Sequence, residues 1–104
     1  MRFYDTKAWR RKRKSILARD GHECRECKRY GRSREAKTVH HCNPIETHWE
    51  FRLKSWNLIS LCFQCHELMH DRESHTLTEL GEYWREKVTP KEFYIPPPSM
   101  KKYS

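Results

Sequence analysis

Two short cysteine pairs are the most distinctive chemical feature of the sequence. Each has the spacing C-x-x-C, Cys24 with Cys27 and Cys62 with Cys65. A tight turn with this spacing presents two sulfurs on one side, so two such turns predict a structural Zn²⁺ held by four thiolates. Disulfides fit less well, because five cysteines leave one thiol over and no secretory signal is visible. A redox C-x-x-C normally joins a strand to a helix, which neither pair clearly does.

Histidines form a second group with metal-binding potential. His40 and His41 lie between the cysteine pairs, and His66 and His70 follow directly on Cys65. His70 follows His66 by four positions, so on a helix their imidazoles share one face and can bind a second metal. The same run spells the H-E-x-x-H motif of zinc proteases. The adjoining zinc ligand, the short chain and the basic composition argue against a protease.

Positive charge is concentrated at the start of the chain. The 104 residues include 22 Lys and Arg against 14 Asp and Glu, a formal net charge of +8. Residues 1–19 contain eight basic side chains and a single acid, Asp5. Such a segment is typical of a protein with an anionic partner, most commonly nucleic acid. The predicted DNA contacts are Arg10, Arg11, Arg13 and Lys14.

A coarse secondary structure follows from apolar spacing and breaker residues. Trp9, Ile16 and Leu17 predict a basic amphipathic helix over 6–19, ended by Asp20-Gly21. Short strands are predicted at 38–42 and 58–61. The second cysteine pair should lead into a helix that reaches about Asp71. A last helix should begin with a capping box of Thr76 and Glu79 and end at Thr89-Pro90.

The composition limits the size of the hydrophobic core and indicates which residues fill it. Only 36% of the residues are hydrophobic, so the core must be small and needs extra stabilisation from metal. For that reason the large side chains of the segment between the strands are predicted to pack in the core: Trp49, Phe51, Leu53 and Trp56. Cys42 is predicted to be a small buried residue. The tail, with three consecutive prolines from Pro96 and with Lys101-Lys102, is predicted to be extended or disordered.

The arrangement of these residues resembles the HNH endonucleases, in particular a zinc-stapled branch with many small phage enzymes. The resemblance rests on Val39-His40-His41-Cys42-Asn43-Pro44, on the run from Asn57 to His66, and on Arg19-Asp20-Gly21-His22-Glu23-Cys24. It implies an α+β fold, a small zinc-stapled ββα-metal (His-Me finger) domain with flanking N- and C-terminal helices. The implied organisation is one domain: a basic helix over 1–20, a nuclease core over 21–75, and a helix with a Pro-rich tail over 76–104.

The resemblance also implies roles for individual residues. His41 would be the general base, and Asn57 would hold the loop that carries it. His40 and His66 would bind a divalent cation at the scissile phosphate, with His70 as a third ligand. Adjacent strand residues point to opposite faces, so a twisted or bulged backbone is predicted at His40-His41. The implied reaction is nicking or double-strand cleavage of DNA that leaves 5′-phosphate and 3′-hydroxyl ends.

Cofactors and partners follow from the same resemblance. Many members of this branch have Asp-His where this chain has His40-His41, so its ligands are softer and Mn²⁺, Ni²⁺, Co²⁺ or Zn²⁺ should bind more tightly than Mg²⁺. DNA is the predicted partner, with phage terminase or packaging proteins as further ones. No apolar run could cross a bilayer, which predicts a cytoplasmic location in a bacterial host. Two alternatives stay open, a zinc-stapled DNA-binding module without catalysis and a zinc module for protein contacts.

Overall fold

The computed structural model describes residues 2–97 and consists of a two-stranded sheet between short helices. The helices are α1 (Lys7–Arg19), α2 (Arg25–Arg29), α3 (Phe63–Glu67) and α4 (Glu79–Val88), and the strands are β1 (Thr38–His41) and β2 (Leu58–Leu61). Single 3₁₀ turns cover Phe3–Asp5, Trp49–Phe51, Ser55–Asn57 and Lys91–Phe93. The predicted α+β class is confirmed. The prediction for Lys101-Lys102 lies outside the described residues.

The basic helix α1 forms as its sequence predicts. The Thr6 hydroxyl caps it by accepting a hydrogen bond from the Trp9 backbone N–H at 3.1 Å. Gly21 adopts a φ of +64° just beyond its C-terminus, a conformation that glycine allows without strain. Trp9, Ile16 and Leu17 are buried, and they anchor the helix on the sheet.

The two strands pair in a regular antiparallel register. Thr38 faces Leu61, and His41 faces Leu58. Alternation along the strands produces two apolar clusters, one on each face of the sheet. One contains Val39 and Leu58 with the buried side chains of α1, and the other contains Ile59 and Leu61 with the cysteines, Met69 and Trp84.

Each cysteine pair begins a short helix. The Cys24 sulfur caps α2 by accepting from the Cys27 N–H, and the Cys62 sulfur caps α3 by accepting from the Cys65 N–H, both at 3.5 Å. The expectation that neither pair joins a strand to a helix is wrong for the second, because β2 ends at Leu61 and α3 begins at Phe63. The two pairs nevertheless bring their sulfurs together, which a redox pair does not require.

Three further predicted features are wrong. The helix after Cys65 does not reach Asp71, because Thr78 donates its hydroxyl to the Leu68 carbonyl and its N–H to the Met69 carbonyl, which turns the chain away from the helix. Thr78, not Thr76, caps α4, and its hydroxyl accepts from the Gly81 N–H. The Trp49 side chain is half exposed and does not pack in the core.

Gly81 explains how closely α4 approaches the end of α3. A Cβ atom on Gly81 would lie 2.4 Å from the Met69 carbonyl oxygen. Only glycine permits this contact, which sets the position of the segment that carries His70. None of the helices within residues 2–97 is long and apolar enough to span a membrane.

Candidate active site

Four buried cysteine sulfurs converge beside the sheet. The sulfurs of Cys24, Cys27, Cys62 and Cys65 all lie within 4.8 Å of one another, and the Cys27 sulfur lies 3.7 Å from that of Cys65 and 3.9 Å from that of Cys62. A tetrahedral Zn²⁺ with bonds of about 2.3 Å would hold its sulfurs about 3.8 Å apart. The spacing is far too long for a disulfide, in which the sulfurs are about 2.05 Å apart. The four cysteines are therefore positioned for zinc binding.

Of the four thiols, that of Cys62 is prepared to lose its proton, whereas burial raises the pKa of the Cys27 and Cys65 thiols. Burial tends to raise the pKa of the Cys62 thiol, but hydrogen bonds from the Cys65 backbone N–H and from the neighbouring thiols outweigh burial and lower it to about 7. A thiolate is the form that binds zinc. The site thus offers a ligand for the metal near neutral pH.

Three histidines form a second cluster on the same face of the sheet. One ring nitrogen from each of His40, His66 and His70 lies within 4.8 Å of the others. His40 comes from β1, His66 from α3, and His70 from the segment beyond α3, where it pairs with Leu77 in an isolated bridge. Because α3 ends at Glu67, the H-E-x-x-H run does not lie on one helix as a zinc protease motif does.

His40 provides the clearest sign that this cluster fits a metal. Its side chain is 1% exposed, and its Nε2 atom has no hydrogen-bond partner. A buried nitrogen without a partner is costly unless it binds an ion. Burial, followed by the nearby His66, His70 and His41, holds the pKa of His40 well below its usual value. The pKa of His66 is lowered by burial and by His70, so both rings are neutral and able to bind a cation at pH 7.

His41 lies next to His40 but points to the opposite face of the sheet. The predicted bulge is wrong, because His40 pairs with Ile59 and His41 with Leu58 in an unbroken ladder. The His41 Nε2–H donates to the carbonyl oxygen of Arg52 at 3.0 Å. The proton therefore sits on Nε2, which leaves Nδ1 with a free lone pair.

Aromatic rings surround His41 on its other sides. The Trp9 ring stacks on the imidazole with centroids 4.9 Å apart and an angle of 25°. Phe3 and Tyr4 approach edge-on at 5.9 and 6.2 Å. Burial lowers the pKa of His41, although its bond to the Arg52 carbonyl acts in the opposite direction. Sequence reasoning missed this role of Trp9, since its spacing indicated only that it belongs to the buried face of α1.

Asn57 holds together the segment between the strands. Its fully buried side chain accepts from the backbone N–H of Asn43 at 2.7 Å and donates to the Phe51 carbonyl at 3.2 Å. The Phe51 carbonyl immediately precedes Arg52, whose own carbonyl orients His41. Asn43 extends this network to α4, because its amide donates to the Thr89 hydroxyl at 2.9 Å. No sequence motif indicated the link to α4.

The predicted DNA-contacting residues of α1 do not all have the same surroundings. Arg10, Arg11, Arg13 and Lys14 are exposed. Helical spacing places Arg11 and Lys14 opposite Trp9, whereas Arg13 lies nearer the sheet and donates to the Lys37 carbonyl at 3.0 Å. Arg10 donates to the Asp5 carbonyl at 2.9 Å.

An open groove of about 890 Å³ borders the histidine cluster. Its walls come from the segment after β1, the turn from His70 to Leu77, α4 and the segment at Ile95–Pro97. His70 forms part of its lining, so the cluster can be reached from solvent on this side.

Comparisons with known proteins agree with this geometry. A family model described as HNH endonuclease matches residues 24–72. The structure is similar to the crystal structure of the HNH endonuclease of the deep-sea thermophilic bacteriophage GVE2, determined with a manganese ion. That relative is 37% identical, the match covers 62% of this chain and 71% of the other, and the TM-score is 0.62. No curated protein matches the sequence.

Proposed function

This chain belongs to the HNH endonuclease family and is a nuclease, and from that premise we propose that it hydrolyses DNA phosphodiester bonds with His41 as the general base. The proposed ligands of the catalytic cation are His40, His66 and His70. The observation that carries the proposal is that the two adjacent histidines of β1 have different surroundings. His40 directs an unpartnered buried nitrogen towards two other histidines, while the adjacent His41 keeps one ring nitrogen free.

His41 has the chemical state that a general base requires. Its Nε2–H is engaged by the Arg52 carbonyl, so Nδ1 can accept a proton from the attacking water. Burial lowers its pKa and keeps the ring unprotonated at pH 7. As the water oxygen bonds to phosphorus, the bond from phosphorus to the 3′ oxygen breaks, and the 3′ oxygen takes a proton from solvent, which leaves a 5′-phosphate and a 3′-hydroxyl. Asn57 acts as a positioning residue, because it fixes the segment on which Arg52 lies.

The histidine cluster suits a divalent transition-metal ion. When bound, such an ion offsets negative charge on the phosphate and on the departing 3′ oxygen. Imidazole ligands favour Mn²⁺, Co²⁺, Ni²⁺ and Zn²⁺ over Mg²⁺, and the solved relative was crystallised with manganese. The thiolate site is assigned to a separate structural Zn²⁺.

The substrate assignment to DNA rests on family membership and on charge. The exposed basic face of α1 offers counter-charges to phosphates, and residues 1–19 carry most of the formal net charge of +8. A role beside the phage packaging machinery, with terminase proteins as partners, stays a prediction.

Cleavage of supercoiled plasmid tests the proposal directly. The protein should convert the plasmid to nicked or linear forms with Mn²⁺ and should not do so without added divalent metal. His41→Ala should slow cleavage by about 10²- to 10⁴-fold, the usual contribution of a general base. A matched control is His22→Ala, which changes an exposed histidine distant in sequence from β1. Cleavage by His41→Ala at the rate of the unchanged protein would overturn the assignment of the base.

A further inference from the structure

Three aromatic side chains form a cluster at the surface that the reaction does not use. Tyr4 is 57% exposed and Trp49 is 51% exposed. Phe3 lies between them, with ring centroids 5.3 Å from Tyr4 and 5.6 Å from Trp49. A chain with so few hydrophobic residues would gain stability by burying these rings. We call Phe3, Tyr4 and Trp49 the aromatic ledge.

The ledge borders the general base. The Phe3 and Tyr4 rings both lie in T-shaped arrangements with the His41 ring, with centroids 5.9 and 6.2 Å away. At the other end of the ledge, Arg52 connects Trp49 to His41. The Arg52 carbonyl accepts a hydrogen bond from His41, and the Arg52 guanidinium stacks on the Trp49 ring at 4.2 Å from the centroid. A group bound on the ledge would therefore lie beside the water that His41 deprotonates.

The chemistry of the ledge matches one class of ligand. Aromatic faces bind nucleobases by stacking, whatever the base, and a nearby guanidinium attracts the adjoining phosphate. The ledge supplies both, since Arg52 covers one face of Trp49 and the basic helix α1 begins at Lys7, just after Tyr4. This charge favours a nucleic acid over an apolar peptide or a lipid tail.

We infer that Tyr4 and Trp49 form a stacking site for an unpaired nucleobase next to the scissile phosphate. The inference rests on the proposed function and extends it to the substrate class. Both faces of a base in a duplex are covered by its neighbours, so the ledge can take a base only where the strand is single, gapped or mismatched. The protein is therefore expected to prefer DNA that is distorted or unpaired beside the cleavage site.

A scan with abasic sites tests the stacking. Binding of fluorescein-labelled DNA with a short gap is measured by anisotropy without added divalent metal, with one abasic site moved along the unpaired strand. Loss of a stacked base should weaken binding by about five- to 150-fold at one position. Trp49→Ala should weaken binding to the intact strand to a similar degree and should remove the sensitivity to the abasic site. Trp49→Phe should restore most of the affinity.

Tyr30 provides a matched control. Tyr30 is 62% exposed and carries the guanidinium of Arg29 over its ring at 4.6 Å, as Trp49 carries Arg52. Tyr30→Ala should bind every oligonucleotide like the unchanged protein and should keep the abasic pattern. Tyr4→Ala is the second ledge variant, to be used if Trp49→Ala changes the circular dichroism spectrum.

The outcomes separate this inference from the proposed function. Equal affinities of Trp49→Ala, Tyr4→Ala and the unchanged protein for gapped DNA, together with plasmid cleavage, would overturn the stacking site and leave the nuclease assignment intact. An abasic pattern with no cleavage under any divalent metal would overturn the proposed reaction and leave the stacking site. Faster cleavage of a duplex with a mismatch beside the cut than of a perfect duplex would support both.

Discussion

His40 and His41 can serve as a proposed metal ligand and a proposed base, respectively, because a strand turns successive side chains to opposite faces. His40 enters the cluster with His66 and His70, and His41 enters a pocket made by Trp9 and the Arg52 carbonyl. The strand thus separates a proposed metal ligand from a proposed base while keeping them neighbours. This arrangement needs no bulge, which is why the sequence-based expectation of one was wrong.

The pH dependence of cleavage tests the proposed role of His41 as the general base. Only the neutral ring accepts a proton, and burial lowers the pKa of His41 below its ordinary value of about 6.5. The single-turnover rate should therefore be flat near pH 7 and fall as the pH is lowered through this pKa. An inflection above pH 7 that disappears in His41→Ala would contradict it.

Trp9 offers a way to perturb that dependence without changing His41. Trp9→Leu keeps an apolar side chain at the site but removes the stacked ring, so the imidazole can rotate. Cleavage should slow by about ten- to 100-fold, and the inflection should move up towards the ordinary value as water enters. Trp9→Phe should be closer to the unchanged protein. A rate loss with no change in the pH profile would indicate that Trp9 serves only stability.

The metal preference tests whether His40 is a ligand of the catalytic cation. His40→Asp replaces a nitrogen ligand with a harder oxygen, so Mg²⁺ should gain relative to Ni²⁺ and Co²⁺ in both binding and cleavage. Isothermal titration with each ion measures the change. His22→Asp is the control, because it makes the same change of side chain at an exposed position. An unchanged order of metals in His40→Asp would show that His40 is not a ligand.

At the scale of elements, the sequence predicts what local patterns determine and misses what distant contacts determine. The helix over 7–19 and the strand over 58–61 follow from apolar spacing and breakers and are confirmed. The early end of α3 depends on Thr78, ten residues beyond Leu68, and Trp49 packs against Phe3, which lies near the N-terminus. Neither contact leaves a local pattern. The histidine cluster could be predicted because the resemblance to the HNH endonucleases already implies that His40, His66 and His70 lie close together.

The basic face of α1 carries a prediction about salt. If Arg10, Arg11 and Lys14 contact phosphates, replacing all three with alanine should make the slope of log affinity against log salt shallower by about 2.7, at about 0.9 per contact. Oligonucleotide binding over a series of salt concentrations gives the slope. An unchanged slope would place the path of the DNA elsewhere on the molecule.

Arg19 is the matched control for that experiment, because it is basic and on the same helix but is used inside the protein. Its guanidinium pairs with Asp20 and donates to the carbonyls of Ser55 and Leu58 at 2.9 and 2.7 Å. Arg19→Ala should leave the salt slope unchanged. It should instead reduce the free energy of unfolding by about 1–3 kcal/mol, as expected when the carbonyl of the buried Leu58 loses a charged donor.

For the molecule as a whole, the sheet cannot account for stability by itself. Two strands of four residues each pack between short helices, and an isolated two-stranded sheet is marginal in water. The four cysteines that are positioned for zinc lie inside the larger apolar cluster with Ile59, Leu61 and Trp84. They join α2 to α3 across the segment that holds His40, His41 and Asn57. The proposed Zn²⁺ is therefore part of the core on which the proposed catalytic residues depend.

Removal of zinc should accordingly unfold the protein. The purified protein should contain about one Zn²⁺ per chain, and Cys24→Ser should lose both the metal and the folded structure, because metal binding in small modules contributes on the order of 10 kcal/mol to folding. Elemental analysis and thermal unfolding followed by circular dichroism measure the two losses. Cys42→Ala is the control: Cys42 is fully buried in the same cluster, where burial raises its pKa to about 12. That variant should keep its zinc and lose only the stability of a small cavity. A folded, active protein that contains no zinc would contradict the prediction, and the apolar cluster alone would then have to hold α2 against α3.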